Sequence, residues 1–108
     1  MDKQTYDKYA ARANILKAMA HPSRLFIVDE LFKGEKCVCE ITQMLDFDIS
    51  TVSKHLLVLK NAGIIEDEKR GLQVFYRLKC KCSQQFLNCC EIVIKSNAEK
   101  QASLVLSE

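Results

Sequence analysis

The chain has 108 residues, and 16 basic against 14 acidic side chains give it a formal net charge of only +2. This length fits one domain covering 1–108, and so small a net charge identifies no partner by itself. The first 20 residues are charged and lack an apolar run, so we expect no secretory signal, and no stretch approaches a membrane span. We therefore expect a single cytoplasmic domain.

Basic charge is concentrated in the middle of the chain. Residues 50–79 carry 6 basic and 3 acidic side chains, whereas residues 1–49 carry 7 and 8, and residues 80–108 carry 3 and 3. A local basic excess is the electrostatic footprint expected of a surface that meets phosphate, and a dimer would double it.

The first two helices are predicted from apolar spacing. Residues 3–19 form an amphipathic pattern, with Tyr6, Tyr9, Ala13 and Leu16 on one face. Two interpretations stay open for this face: it is covered by a second subunit, or it packs on its own core. The second helix begins at Pro22 and ends at Gly34, and its expected buried residues are Leu25, Val28, Leu31 and Phe32.

A short helix, Val38 to Leu45, and a connector, 46–49, lead into the stretch 50–63, which we interpret as a DNA-recognition helix. Asp48 is the expected N-cap and Gly63 the expected C-terminal stop. Val52, Leu56 and Leu59 form an apolar stripe, so the polar side chains of this helix lie away from that stripe. The alternative is an ordinary amphipathic helix whose polar face only meets water.

A β-hairpin follows the recognition helix. Residues 64–68 and 73–78 predict two strands, and the second alternates apolar and polar side chains. The intervening turn, 69–72, contains Gly71 and places Lys69 and Arg70 at its tip. A hairpin directly after a recognition helix indicates a wing, 64–79, whose tip reaches phosphate or the minor groove. The expected DNA-binding residues of helix and wing are Ser50, Thr51, Ser53, Lys54, His55, Lys60, Lys69 and Arg70.

The last predicted helix covers 83–98, after which 99–108 is expected to fray. Its apolar residues Phe86, Leu87, Cys90, Val93, Ile94 and Ala98 form a wide surface. A terminal helix this apolar, in a domain with little core left to cover, indicates a dimer contact.

Six cysteines in a cytoplasmic chain indicate thiols for metal or redox chemistry rather than a disulfide framework. Cys37 and Cys39 stand at a helix start, where the first residue is still extended and the two sulfurs can converge. The positive helix end favours thiolates, which select soft ions. The alternative is two small buried side chains.

The other four cysteines permit two interpretations, sensing and packing. Cys80 and Cys82 lie on one side of the chain if that segment is extended. Cys89 and Cys90 are a vicinal pair in the last helix, and Cys90 shares the apolar face. Sequence alone does not decide which set closes a site.

Together these residues resemble the ArsR/SmtB family of metal-responsive winged helix-turn-helix repressors. The resemblance extends from about residue 12 to residue 80, and its pieces are the segments Ala20–Arg24, Glu35–Ile41, Ser50–Leu56, Leu59–Ile65 and Arg70–Leu78. It implies a mainly α fold of about five helices with a two-stranded wing, and a homodimer joined by first and last helices. It also implies an inverted-repeat operator in double-stranded DNA, and release when a thiophilic ion binds near Cys37 and Cys39.

Three departures from the family pattern bear on the inducer. The arsenic-type motif usually has a third cysteine where this chain has Thr42, and no cysteine precedes Cys37 as it does in cadmium- and lead-responsive relatives. The last helix has neither histidine nor aspartate, so the zinc- and nickel-type site is not expected. A third ligand therefore comes from Cys80, Cys82, Cys89 or Cys90 of either subunit, or from solvent.

These features predict a repressor released by arsenite or antimonite, with cadmium or lead next, and with no cofactor needed for DNA binding. One alternative keeps the fold but makes the signal a thiol oxidant or a persulfide. Another makes the winged helix a protein-interaction module without salt-dependent DNA affinity. An enzyme is not expected, because neither His21 nor His55 lies in a catalytic arrangement.

Overall fold

The computed structural model describes residues 1–106, and within this range the chain forms five helices and one three-stranded antiparallel sheet. In chain order the elements are α1 Lys3–Met19, α2 Pro22–Lys33, β1 Lys36–Cys37, α3 Val38–Leu45, α4 Ile49–Asn61, β2 Ile65–Arg70, β3 Gln73–Leu78 and α5 Ser83–Leu106. The winged helix-turn-helix expected from the sequence is confirmed.

The helix-turn-helix consists of α3, a three-residue turn and α4. Asp46 ends α3 in the left-handed conformation, with φ 56°, and Asp48 caps α4 as expected. Gly63 follows α4 with φ +80°, a value that favours glycine because it has no Cβ. The recognition helix starts one residue earlier than predicted, at Ile49.

The core lies between α2, α3, α4 and the inner ends of the strands. Its fully buried large side chains are Ile27, Val28, Ile41, Val52, Leu56, Leu59 and Ile65. The predicted face of α2 was partly wrong: Phe32 is 43% exposed and Leu25 only half-buried, whereas Ile27 is 1% exposed. Val28 belongs both to the predicted face and to the face that contains Ile27 and Leu31. The second of these faces is the one that packs on the core.

The sheet has the order β1-β3-β2. The two-stranded wing predicted from sequence lacked β1, whose Lys36 and Cys37 pair with Tyr76 and Phe75 of β3. Two residues are too few to show strand periodicity, so the sequence carried no signal for β1. The hairpin turn is also tighter than predicted, because β2 continues to Arg70, which pairs with Gln73.

Both terminal helices leave apolar surface exposed. In α1 the buried residues are Ala18 and Met19, whereas Tyr6, Tyr9 and Leu16 are exposed. The interpretation that this face packs on its own core is therefore wrong. The radius of gyration, 17.4 Å, exceeds the roughly 13 Å of a compact chain of this length.

The fraying predicted for 99–108 is wrong for 99–106, because α5 runs unbroken to Leu106; residues 107–108 lie outside the described part. No residue of α5 is fully buried, and Phe86, Val93 and Ile94 are exposed. Neither α5 nor any other helix of 1–106 has the length and apolar character needed to span a bilayer.

Candidate nucleic-acid interface and thiol sites

The orientation of α4 is fixed by its apolar stripe. Val52, Leu56 and Leu59 are each 0% exposed, so the helix is anchored along its whole length. Because successive helical residues turn by about 100°, this burial directs Ser50, Ser53 and Lys54 outward, and all three are exposed. Thr51 is half-buried beside them.

The N-terminus of α4 is capped by a carboxylate. Asp48 Oδ1 accepts hydrogen bonds from the Thr51 amide and the Ser50 hydroxyl, both at 2.7 Å. The bond from the Thr51 backbone, with help from the Ser50 side chain, lowers the pKa of Asp48. The cap therefore stays ionised, and it also holds the Ser50 side chain in place.

His55 points toward α2 rather than fully outward. Its ring centroid lies 4.6 Å from that of His21, and its side chain is half-buried. Burial first, and then electrostatic repulsion from His21 and Arg24, lower the pKa of His55. Among the residues expected to read bases, His55 therefore differs in having its ring packed against a side chain of another helix terminus, that of His21.

Lys60 lies at the far end of α4. Its Nζ forms an ion pair with Asp67 Oδ2 of the wing at 3.1 Å. This pair joins the end of the recognition helix to β2, so Lys60 helps to orient the wing.

The wing arginines belong to an ion-pair network. Arg70 donates two hydrogen bonds to Glu35, at 2.5 and 2.9 Å, and another to Glu68 at 2.7 Å. Arg77 donates to Glu66 at 2.8 Å and to Glu68 at 3.2 Å. Arg70 was expected free at the hairpin tip and instead lies in β2, because the turn is shorter. Lys69 is exposed.

Two residues near this surface were missed by sequence reasoning. Glu35 precedes β1 and meets Arg70 across 35 positions of sequence, a separation that no local pattern reveals. Ile49 was assigned to the connector, yet it is the first residue of α4 and is 56% exposed. An apolar side chain at the start of a recognition helix can contact a thymine methyl group.

The first cysteine pair is split between core and solvent. Cys37 is extended, with φ −81° and ψ 161°, and only 6% exposed, whereas Cys39 is exposed in the first turn of α3. The Cys37 amide donates to Glu40 Oε1 at 3.1 Å, which lowers the pKa of Glu40. The extended backbone predicted for Cys37 is therefore present.

The remaining cysteines differ in state. Cys80 and Cys82 are joined by a disulfide, contrary to the expectation of free thiols, with 5.5 Å between their Cα atoms. Cys89 is an exposed free thiol and Cys90 a half-buried one. Within residues 1–106, no group of three or more His, Cys, Asp or Glu side chains is gathered closely enough to hold a metal ion.

Comparisons with known proteins place this chain in a family. Residues 21–67 match the family model described as "Bacterial regulatory protein, arsR family". The chain is 36% identical over 103 residues to the biofilm growth-associated repressor of Xylella fastidiosa, covering 94% of this chain and 90% of that protein. The chain belongs to the ArsR/SmtB family of winged helix-turn-helix transcriptional repressors. It is a DNA-binding regulator rather than an enzyme.

Two further relatives show how the family likeness is distributed. The arsenic resistance transcriptional regulator ArsR1 of Pseudomonas putida is 37% identical over 67 residues, which are 62% of this chain and 52% of that protein. The homodimeric winged helix-turn-helix DNA-binding domain Mb0332 of Mycobacterium bovis superposes with a TM-score of 0.78 at 25% identity, covering 93% of each chain. The likeness to Mb0332 therefore includes both terminal helices, whereas that to ArsR1 spans a shorter segment.

Proposed function

We propose that this ArsR/SmtB repressor binds an inverted-repeat operator as a homodimer and reads it through Ser50, Thr51, Ser53 and Lys54. The observation that carries the proposal is the burial of Val52, Leu56 and Leu59, which leaves the polar side chains in the first half of α4 exposed, next to the exposed Ile49 and Leu57. Hydroxyl and ammonium groups are suitable donors to base edges and phosphates in the major groove. His55 contacts His21 of the α2 N-cap, and Lys60 forms an ion pair with Asp67 of the wing, so both help to hold this face in position.

Dimerisation is assigned to the exposed apolar surfaces of α1 and α5. Each carries aromatic or aliphatic side chains that the isolated chain leaves in water, among them Tyr6, Tyr9, Phe86 and Ile92. A two-fold dimer presents its two recognition helices to half-sites one DNA turn apart, about 34 Å, or a multiple of that spacing. The homodimeric state named for Mb0332 supports this arrangement.

The inducer we propose is arsenite or antimonite bound through Cys37 and Cys39, with cadmium or lead as the next soft ions. Thiolates select such ions, and the name of the Pseudomonas putida relative includes arsenic resistance. Residues 1–106 of a single chain do not gather a third ligand. Solvent or a cysteine of the partner subunit completes the coordination: Cys89 or Cys90, or Cys80 or Cys82 once their disulfide is reduced.

Release follows from the position of Cys37. This residue caps α3, and α3 packs through Ile41 on the core that holds α4. Drawing the buried Cys37 sulfur toward the exposed Cys39 shifts the start of α3, and so changes the support of the recognition helix. An inducer needs only a higher affinity for this shifted conformation to reduce DNA affinity.

Replacing both cysteines tests the inducer site. The Cys37→Ser/Cys39→Ser protein is expected to bind operator DNA and to lose its response to arsenite. The Cys89→Ser/Cys90→Ser protein also removes two thiols: a retained response leaves the third ligand to solvent or another cysteine, whereas a lost response assigns it to this pair. Full arsenite response in the first variant would rule out Cys37 and Cys39 as the sensor.

The runner-up proposal is a repressor controlled by thiol oxidants or persulfides, which the Cys80–Cys82 disulfide favours. Mass spectrometry of the protein after mild oxidant treatment separates the two proposals. Oxidant-dependent loss of DNA binding with no arsenite effect supports the runner-up, whereas arsenite-dependent loss with Cys37 and Cys39 unmodified by oxidant supports the first.

A further inference from the structure

The Cys80–Cys82 pair occupies the junction between the sheet and α5. On one side, the Lys79 amide donates to the Ile64 carbonyl at 2.9 Å, which ties the end of β3 to the core. On the other side, α5 begins at Ser83, directly after Cys82. Both cysteines are exposed. Any change in this segment therefore alters how the sheet is joined to α5.

Local hydrogen bonds show that the cross-linked segment is the first turn leading into α5. The Ser83 hydroxyl donates to the Cys80 carbonyl at 3.2 Å, and the Gln84 and Gln85 amides donate to the carbonyls of Lys81 and Cys82 at 3.3 and 3.1 Å. Side chains two residues apart in a regular helix point about 200° apart and cannot be bridged. The disulfide thus keeps 80–82 as a turn and fixes the start of α5 at Ser83.

The junction also borders an apolar cleft between α1 and α5. The cleft has a volume of about 330 Å³, and its lining includes Leu16, Met19, Cys80, Cys82 and Phe86. No residue of α5 is fully buried, and the half-buried Leu87 is the side chain of its first turns that packs against the core. The connector and this packing together set the direction of the helix.

We propose that Cys80 and Cys82 form a reversible dithiol–disulfide site that sets the rigidity of the sheet–α5 junction, separate from the inducer site at Cys37 and Cys39. The oxidant class is a hydroperoxide. One thiolate attacks a peroxide oxygen, forming a sulfenic acid and releasing water after protonation. The second thiolate attacks the sulfenic sulfur and forms the S–S bond, releasing a second water. Overall, two thiols and one hydrogen peroxide give one disulfide and two waters.

The surroundings suit this chemistry. Lys79 and Lys81 flank the pair and place basic residues beside it. The resolving thiol is two residues away and already within bonding reach, so the sulfenic acid is captured before further oxidation. A dithiol reductant reverses the reaction by exchange, leaving two thiols and an oxidised reductant.

The test uses the full chain and two readouts that do not involve DNA. Alkylation and peptide mapping of peroxide-treated protein should show four free thiols with Cys80 and Cys82 linked, and dithiothreitol should restore six. Amide hydrogen exchange at residues 82–86 should become roughly tenfold faster on reduction, since opening so short a loop restores chain entropy. Peroxide that leaves Cys80 and Cys82 as thiols, or exchange that does not change on reduction, overturns the proposal.

Variants separate this site from the other thiols. Cys80→Ser/Cys82→Ser should show the faster exchange in both conditions, and Cys89→Ser/Cys90→Ser should behave as the wild type. Because the comparison of oxidised with reduced wild type needs no variant, a variant that fails to fold does not remove the test. Redox-independent exchange in wild type together with redox-dependent exchange in Cys80→Ser/Cys82→Ser would also overturn the assignment.

The regulatory consequence rests on the proposed function. Since α5 joins the two subunits, a more mobile junction changes the spacing of the two recognition helices, so oxidised and reduced protein should differ several-fold in operator affinity. Equal affinities in the two states contradict this consequence. Absence of DNA binding in both states would contradict the proposed function, while the thiol and exchange results would still decide the redox site.

Discussion

The imidazole rings of His21 and His55 lie 4.6 Å apart, centroid to centroid, and join the start of α2 to the middle of the recognition helix. His21 Nδ1 accepts a hydrogen bond from the Ser23 amide at 3.1 Å. The pKa of His55 is lowered by burial and by electrostatic repulsion from the neighbouring His21 and Arg24. Protonation of His55 therefore opposes the contact that holds α4 against α2.

We predict that this contact makes folding pH-dependent near neutrality. The unfolded chain takes up a proton on His55 at about pH 6.5, whereas the folded chain resists it, so the stability from this group is present above that pH and is lost as the pH falls. Urea unfolding of wild type and His55→Asn at about pH 7.5 and pH 5 measures the effect. The wild type should lose more stability between these pH values than the variant, and equal losses would contradict the assignment.

Lys54 is predicted to contact DNA directly. Lys54→Ala should weaken operator binding by about 1–3 kcal/mol if the side chain contacts a base, or lower the salt dependence by about one unit of slope if it contacts phosphate. The matched control is Lys8→Ala, which removes the same exposed charge from α1. If both variants lose the same affinity, the effect of Lys54 is only long-range electrostatics.

The Asp48 cap is predicted to stabilise the recognition helix. Asp48→Ala removes the acceptor of the Thr51 amide and should reduce the free energy of unfolding. Asp48→Asn keeps an acceptor without the charge and should restore most of this loss. Chemical denaturation of the three proteins checks the order, and an Asn variant no better than Ala would mean that the charge itself matters.

Glu35 is predicted to restrain Arg70. Glu35→Gln weakens the two hydrogen bonds that hold the guanidinium and should free it for phosphate, so that operator affinity rises and the salt slope steepens by up to about one. Glu91→Gln on α5 removes the same charge away from the wing and serves as control. Because the pair is exposed and solvent screens it, the loss of folding stability should be small. An unchanged slope would show that Arg70 does not contact DNA.

Local patterns in the sequence were sufficient to predict the helix-turn-helix and its caps. Val52, Leu56 and Leu59 define the buried face of α4 by spacing alone, and Asp48 and Gly63 mark its ends. The contacts that the sequence did not predict are non-local. Glu35 reaches Arg70 because β1 pairs with β3. Ile49 is exposed because the turn between α3 and α4 directs its side chain to solvent.

The C-terminal part of the chain shows a second reason why the sequence did not predict the whole structure. The apolar residues of α5 predicted a contact surface but not its length, since the helix continues through a segment with mixed composition up to Leu106. The Cys80–Cys82 disulfide was not expected, because the pairing of neighbouring cysteines depends on the turn between β3 and α5 rather than on their spacing.

The most direct measurement is fluorescence anisotropy of the reduced protein on DNA from upstream of its own gene, beside a scrambled duplex of equal length, with and without arsenite. We expect tight binding to the upstream duplex alone, weakening steeply with salt and lost on addition of arsenite. Binding no tighter than to the scrambled duplex would contradict operator reading through α4 on that fragment. Tight binding that arsenite leaves unchanged would contradict Cys37 and Cys39 as an arsenite sensor.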